Sequence, residues 1–231
     1  MSLAHLLPLF TNMILPDVDR SVAPVRWATD GLSASARAAA IAALAERTRR
    51  PVLVLVSRQE VADTLVANLG QMLPLNATPL VWSAADPLPY EQMPHDPGLS
   101  AQRSVVLGRL SGSVGETQPP VIVATARALM TSVRAPETFG RDVIHLSLGD
   151  RVDDAALVRQ LVTAGYVHEA QVEGPGTLSR RGGILDVFTP GSSDAIRIEL
   201  FGDEIDSIRR FDPLTQRSTE RISSVTILPP I

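Results

Sequence analysis

The sequence predicts a two-part α/β protein. A parallel α/β domain covers residues 1–144, and a smaller α+β domain with a mostly antiparallel sheet covers residues 145–231. Three observations lead there. In the first part, short apolar runs alternate with helix-forming stretches, the pattern of a parallel sheet whose crossovers are helices. After "RDVIHLSLGD", apolar runs follow one another with only short turns between them, which suits antiparallel pairing. Of the 231 residues, 45% are hydrophobic and 20% charged, enough apolar material to pack a core in each part.

The elements follow in order. "ASARAAAIAALAER" (34–47) is rich in strong helix formers, with Ile41, Leu44 and the alanines able to bury one face. "RPVLVLVS" (50–57) reads as a buried parallel strand and "RQEVADTLVANLGQML" as a helix. "TPLVWSA" (78–84) is a second strand, and "PPVIVATARALM" (119–130) a strand entering a helix. Between them, "DPLPYEQMPHDPGLSAQR" is a Pro-rich loop leading into a helix. Residues 152–164 predict an amphipathic helix, with Asp153 or Asp154 near its start and Gly165 at its end. Strands are then expected in "YVHEAQVE", "GGILDVF", "DAIRIELF", "EIDSIRRF" and "ISSVTILP". In "LFGDEI", Gly202-Asp203 suits a two-residue hairpin turn.

Composition narrows the function. The formal net charge is −4, which argues against a protein coated in basic charge for nucleic acid. All 21 cationic residues are Arg, and with no Cys there can be no disulfide or thiolate metal site. His5, His95, His145 and His168 are scattered without metal-ligand spacing, so no metal site is expected. No apolar run reaches the roughly 20 residues of a membrane helix. "MSLAHLLPLF" has neither the basic start nor the small-residue cleavage site of a signal peptide. A cytoplasmic protein without membrane contact is the expectation.

"TDGLSASARAAA" (29–40) sits where a strand could give way to a helix, the position of a phosphate-binding loop. Against G-x-x-x-x-G-K-[ST], Gly31 takes the first position. Ala36 replaces the second glycine, Arg37 the lysine, and Ala38 the hydroxyl residue that would reach magnesium. The stretch is either an ordinary helix start or the relic of a phosphate loop. Nucleotide hydrolysis is not expected from it, and no catalytic residue is assigned: Asp186 and Glu199 have no nucleophile in motif spacing and read as solvated strand charges.

The second part carries a more specific signal. "RGGILDVFTP", "RIELFGDEIDSIR", "FDPLTQRS" and the closing "ILP" together resemble domain 2 of the UvrB-homology module. That module occurs in the excision-repair helicase UvrB and at the N-terminus of the transcription-repair coupling factors (Mfd). "ADPLPYEQMPHDP" and "VIVATARALMTSVRAPETF" resemble domain 1A of the coupling factors, a degenerate P-loop, RecA-like fold. The resemblance covers nearly the whole chain from about residue 10.

It implies an N-terminal fragment of a longer protein. The parent acts on RNA polymerase stalled at DNA lesions, with ATP and Mg in its motor domains, and recruits excision repair through UvrA. The fragment itself would use no cofactor. It would dock on UvrA and be masked in the parent by other domains of the same chain. RNA polymerase and DNA would be partners of the full-length protein only. Two other readings compete: a divergent P-loop ATPase with Arg37 in place of lysine, and a UvrB-like damaged-DNA binder. The second would need a basic groove and an aromatic hairpin, whereas residues 145–231 hold nine Arg against thirteen Asp and Glu, and the intervening segment offers mainly Tyr90.

The alternation of "AIRIELF" places Ile196, Ile198 and Leu200 on one face and Arg197, Glu199 and Phe201 on the other. From the residues alone, Phe201 either folds under its hairpin or against the helix at 152–164, or stands outward as an interaction anchor. The resemblance implies the second: Arg181, Arg197 and Phe201 fall on positions of the UvrA contact. Arg180 adds a cation beside Arg181, and Gly182-Gly183 could host a bulge.

Overall fold

The computed structural model describes residues 30–74, 77–84, 96–114 and 118–230. The strand expected before Gly31, Tyr90 and most of the Pro-rich loop lie outside the described residues. The chain forms two compact units that interleave in sequence.

The first unit holds the described residues up to 84 together with residues 118–132. Its sheet is parallel, in the order β1-β3-β2, with β1 Val52–Val56, β2 Leu80–Trp82 and β3 Val121–Thr125. β3 is central and buried along its length. The helix Ala34–Thr48 buries Ala38, Ala39, Ala42, Ala43 and Ala45. With no atoms beyond Cβ, these let it lie close against the helix Gln59–Met72, which contributes Ala62 and Leu69 to the same core. Trp82 donates its indole N–H to the Ala128 carbonyl at 3.0 Å, tying β2 to the short helix Ala126–Leu129. β1 departs from the expected fully buried strand: Leu53 is 53% and Leu55 59% exposed. It forms the edge of the sheet among the described residues, and the helices cover only its Val52, Val54 and Val56 face.

The second unit holds residues 96–114 and 133–230 of the described chain. It contains β4 Ile144–Ser147, β5 Val167–His168, β6 Thr177–Arg181, β7 Ile184–Phe188, β8 Ala195–Phe201, β9 Glu204–Phe211, β10 Ser218–Ile222 and β11 Ser224–Ile227. Six strands run β10-β9-β8-β7-β6-β5, antiparallel except for β5 beside β6, and β4 pairs with β11 in a separate antiparallel ribbon. Of the full strand expected in "YVHEAQVE", only Val167 and His168 pair with β6, and the Glu169 N–H adds a last bond to the Leu178 carbonyl at 2.8 Å. The helix Asp154–Ala164 starts at Asp153, whose carboxylate accepts the Ala156 N–H at 3.0 Å, and ends at Gly165 with φ 113°. Its Leu157 and Leu161 meet Ile144, Ile227, Leu185, Ile198 and Ile208 in one core.

Two helices that precede residue 145 also belong to this unit. Ser104, in Pro97–Leu110, donates to the Pro229 carbonyl at 2.7 Å. Phe139, in Pro136–Asp142, packs with Val143 and Leu228. Long-range packing therefore draws the compact units along different lines from the sequence boundary at 144/145.

Candidate functional site

The six-stranded sheet has one face in the core and one open face, and β8 shows why. Ile196 and Ile198 are 1% and 0% exposed on the core face. Alternation puts Arg197, Glu199 and Phe201 opposite them. A register shift after Glu199 pairs Leu200 with Ile205 and Phe201 with Glu204. Gly202, at φ 67°, and Asp203 then close the hairpin as a two-residue turn. This hairpin is held in place from the side. Gly149 and Val152 donate backbone N–H to the Ile205 and Asp203 carbonyls at 2.9 and 2.8 Å, and Ile205 donates to the Asp150 carbonyl at 2.9 Å.

The neighbouring turn, Gly182-Gly183, lies at the same end of the sheet. It is a tight two-residue turn rather than a bulge, because Arg181 pairs with Ile184 in unbroken register. A Cβ on Gly183 would meet the Leu200 carbonyl at 2.9 Å, so only glycine lets the turn sit against β8. The two turns leave an apolar and cationic group at the sheet's end: Phe201 is 84% exposed, Ile184 37% exposed, and the Arg181 side chain 56% exposed.

The middle of the open face is closed. Asp186 on β7 is 2% exposed and receives Arg197 through both oxygens, Nε at 2.8 Å and Nη2 at 2.9 Å, with Arg181 Nη2 at 3.2 Å. The bond to Asp186 holds the Arg197 guanidinium above its ordinary pKa. Arg197 also donates to Gln216 Oε1 at 3.1 Å and lies over the Phe211 ring, 4.4 Å from its centre. The expectation that Asp186 is a solvated strand charge is corrected here. Residues from the 170–172 and 212–217 segments roof this part of the sheet, with Ser179 Oγ donating to the Ala170 carbonyl and Val172 packing on Phe188, Ala195 and Phe211. Glu199 fits the solvated reading better: it is half-buried, accepting from Ser207 Oγ at 2.7 Å and Arg209 Nη2 at 3.4 Å.

The candidate residues thus separate. Phe201, Arg181 and Arg197 share one face. Arg180 does not join them; it stands on the core side of β6, where it pairs with Leu185 in register and binds Asp154 at the start of the helix Asp154–Ala164. Neighbouring residues of a strand point to opposite faces, so Arg180 and Arg181 lie on different faces of the sheet. Ile184 joins the open face beside Asp186, a placement that the alternation of "ILDVF" carries.

In the first unit, Ser33 caps the helix Ala34–Thr48 by accepting the Ala36 N–H at 3.3 Å. Ala36, Arg37 and Ala38 are already helical, and Ala38 is fully buried. Gly31 precedes the cap at φ 73°. Among the described residues no cluster of three or more His, Asp or Glu could hold a metal ion, and no helix is long and apolar enough to cross a membrane.

Residues 144–230 match the family described as the UvrB interaction domain. Over that stretch the chain is similar to UvrB interaction domains. Around it the similarity extends across both units. The transcription-repair-coupling factor of Myxococcus xanthus is 35% identical over 217 residues, 92% of this chain and 18% of the relative. That of Bacillus subtilis is 32% identical over 199 residues, 86% of this chain and 16% of the relative. UvrABC system protein B of Acinetobacter baylyi is 32% identical over 209 residues, 86% of this chain and 31% of the relative. The chain therefore spans 16–31% of the length of these relatives. The open-face residues Arg181, Ile184, Arg197 and Phe201 all fall within the matched segment.

Proposed function

We propose that this chain is the repair-recruiting fragment of a transcription-repair coupling factor, and that it docks on UvrA by surface complementarity without chemistry of its own. The observation that carries the reading is the matched interaction domain together with what its open face presents: a phenylalanine 84% exposed on a braced hairpin. An aromatic held out in water on a rigid element gives large apolar burial on docking at small ordering cost. In this reading Phe201 and Arg181 touch UvrA, with Arg197 fixing the sheet beneath them. Arg180 takes no direct part. Docking belongs to residues 145–231, and residues 1–144 hold a phosphate-loop relic that neither binds nor hydrolyses ATP.

Beyond the fragment, the parent protein acts on RNA polymerase stalled at DNA lesions, with ATP and Mg in its motor domains. Other domains of the parent mask the docking face until the motor engages. The divergent ATPase has less support, because the buried Ala38 has no hydroxyl for magnesium. Calorimetric titration of the chain into UvrA from the same organism tests the proposal. Saturable binding is expected; the absence of both heat and co-elution on gel filtration would overturn it.

A further inference from the structure

The β9–β10 loop, residues 212–217, leaves the open face at the end remote from Phe201. It is closed upon itself. Asp212 Oδ1 accepts the N–H of Leu214 at 2.8 Å and of Thr215 at 3.4 Å, the Gln216 N–H donates to the Asp212 carbonyl at 2.8 Å, and the Asp212 N–H donates to the Arg217 carbonyl at 3.0 Å. Gln216 adopts φ 58° and turns its side chain back to the sheet. There its Oε1 accepts from Arg197 at 3.1 Å while its Nε2 donates to the Pro213 carbonyl at 2.8 Å. The loop is fixed both internally and to the centre of the face. The side chain it carries near its tip, Leu214, is nevertheless 91% exposed, more than Phe201.

A leucine in that position adds nothing to the fold's own core. When covered by a partner it gains the full burial of an apolar side chain, and little ordering cost opposes that gain because the loop is already held. The spacing permits one partner to reach both residues. Phe201 lies six positions along β8 from Ala195, which pairs with Phe211 at the root of the loop. At roughly 3.3 Å per residue that is about 20 Å. A standard interface of ~800 Å² per partner is about 30 Å across. Between the two ends the exposed cations are Arg181 and, in register with Arg209 on the edge strand, Arg221.

We infer that Leu214 is a second apolar anchor of the same docking surface, so that the footprint of UvrA runs the length of β8 from the Gly202 hairpin to the β9–β10 loop. This rests on the docking reading proposed above. The matching surface on UvrA carries two apolar recesses, one for each end of β8, with carboxylates near Arg181 and Arg221.

The test is a titration of UvrA with the whole chain and its Phe201→Ala, Leu214→Ala and doubly substituted forms, each with a melting curve. Leu214→Ala should weaken binding by about five- to tenfold with an unchanged Tm. The double substitution should weaken it by roughly the product of the single effects, as for separated sites. If Phe201→Ala weakens binding and Leu214→Ala does not, the footprint stops short of the loop and the inference falls while the docking reading stands. If neither weakens binding, both fall. If Leu214→Ala lowers Tm along with affinity, the leucine supports the fold and the inference is overturned.

Discussion

Arg197 and Asp186 form a two-pronged ion pair across β8 and β7, at 2.8 and 2.9 Å, with the carboxylate 2% exposed and the guanidinium side chain 17% exposed. The pair is part of the fold before it is part of any interface. Its guanidinium carries the loop above through Gln216 and covers Phe211 below.

Arg197→Ala is therefore expected to destabilise the chain by about 3 kcal/mol, since it strands a buried carboxylate whose other cation, Arg181, is mostly in water. Arg181→Ala should cost only about 0.5 kcal/mol, the range of an exposed pair. Urea denaturation of both variants distinguishes them; equal losses would mean that Arg181 supports Asp186 as much as Arg197 does.

Ile198→Ala should cost ~2–5 kcal/mol, through lost burial and the cavity left at a fully buried site in the sheet's core. A loss within about 0.5 kcal/mol, the size of an ordinary surface change, would show that the face assignment of β8 is wrong.

That face assignment was legible in the sequence, because Ile196, Ile198 and Leu200 alternate strictly with Arg197, Glu199 and Phe201, and Gly202-Asp203 can form only a short turn. The start of the helix Asp154–Ala164 was equally legible, since Asp153 supplies the cap locally. What escaped was set by contacts distant in sequence. Asp186 looks like a solvated charge until residues 170–172 and 212–217 fold over it. Which face Arg180 and Arg181 each take stays open until the unbroken register of β6 and β7 rules out a bulge at Gly182-Gly183 and sends the two side chains to opposite faces. The helices Pro97–Leu110 and Pro136–Asp142 read as parts of the first domain, because nothing local announces that Ser104 and Phe139 meet the far C-terminal segment.

Two carboxylates predict the acid response. The Ala156 N–H holds Asp153 below its ordinary pKa of 3.8, and the Leu214 N–H does the same for Asp212. A pKa lower in the folded chain than in the unfolded one gives stability that is present above the unfolded value and lost as pH falls through the folded one. The Tm should accordingly fall as the pH drops through and below the ordinary carboxylate value of 3.8. Asp153→Asn, which keeps a cap oxygen but cannot titrate, should make that fall shallower. An unchanged slope would remove Asp153 from the account.

The chain is expected to give no heat with ATP and magnesium, because the helix that would receive phosphate is capped by Ser33 and carries Ala38 in place of a hydroxyl residue. Saturable, magnesium-dependent binding in the micromolar range would contradict this.

The central claim is that Phe201 serves a partner and not the fold, and a paired measurement on Phe201→Ala tests it most directly: Kd for UvrA by titration, and Tm by thermal melting, beside Ile198→Ala. A central aromatic anchor is worth ~2 kcal/mol or more on truncation, about a thirtyfold loss of affinity. The account predicts that loss for Phe201→Ala, with folding stability changed by only about 0.5 kcal/mol. Wild-type affinity for UvrA, accompanied by a drop in Tm as large as that of Ile198→Ala, would contradict it.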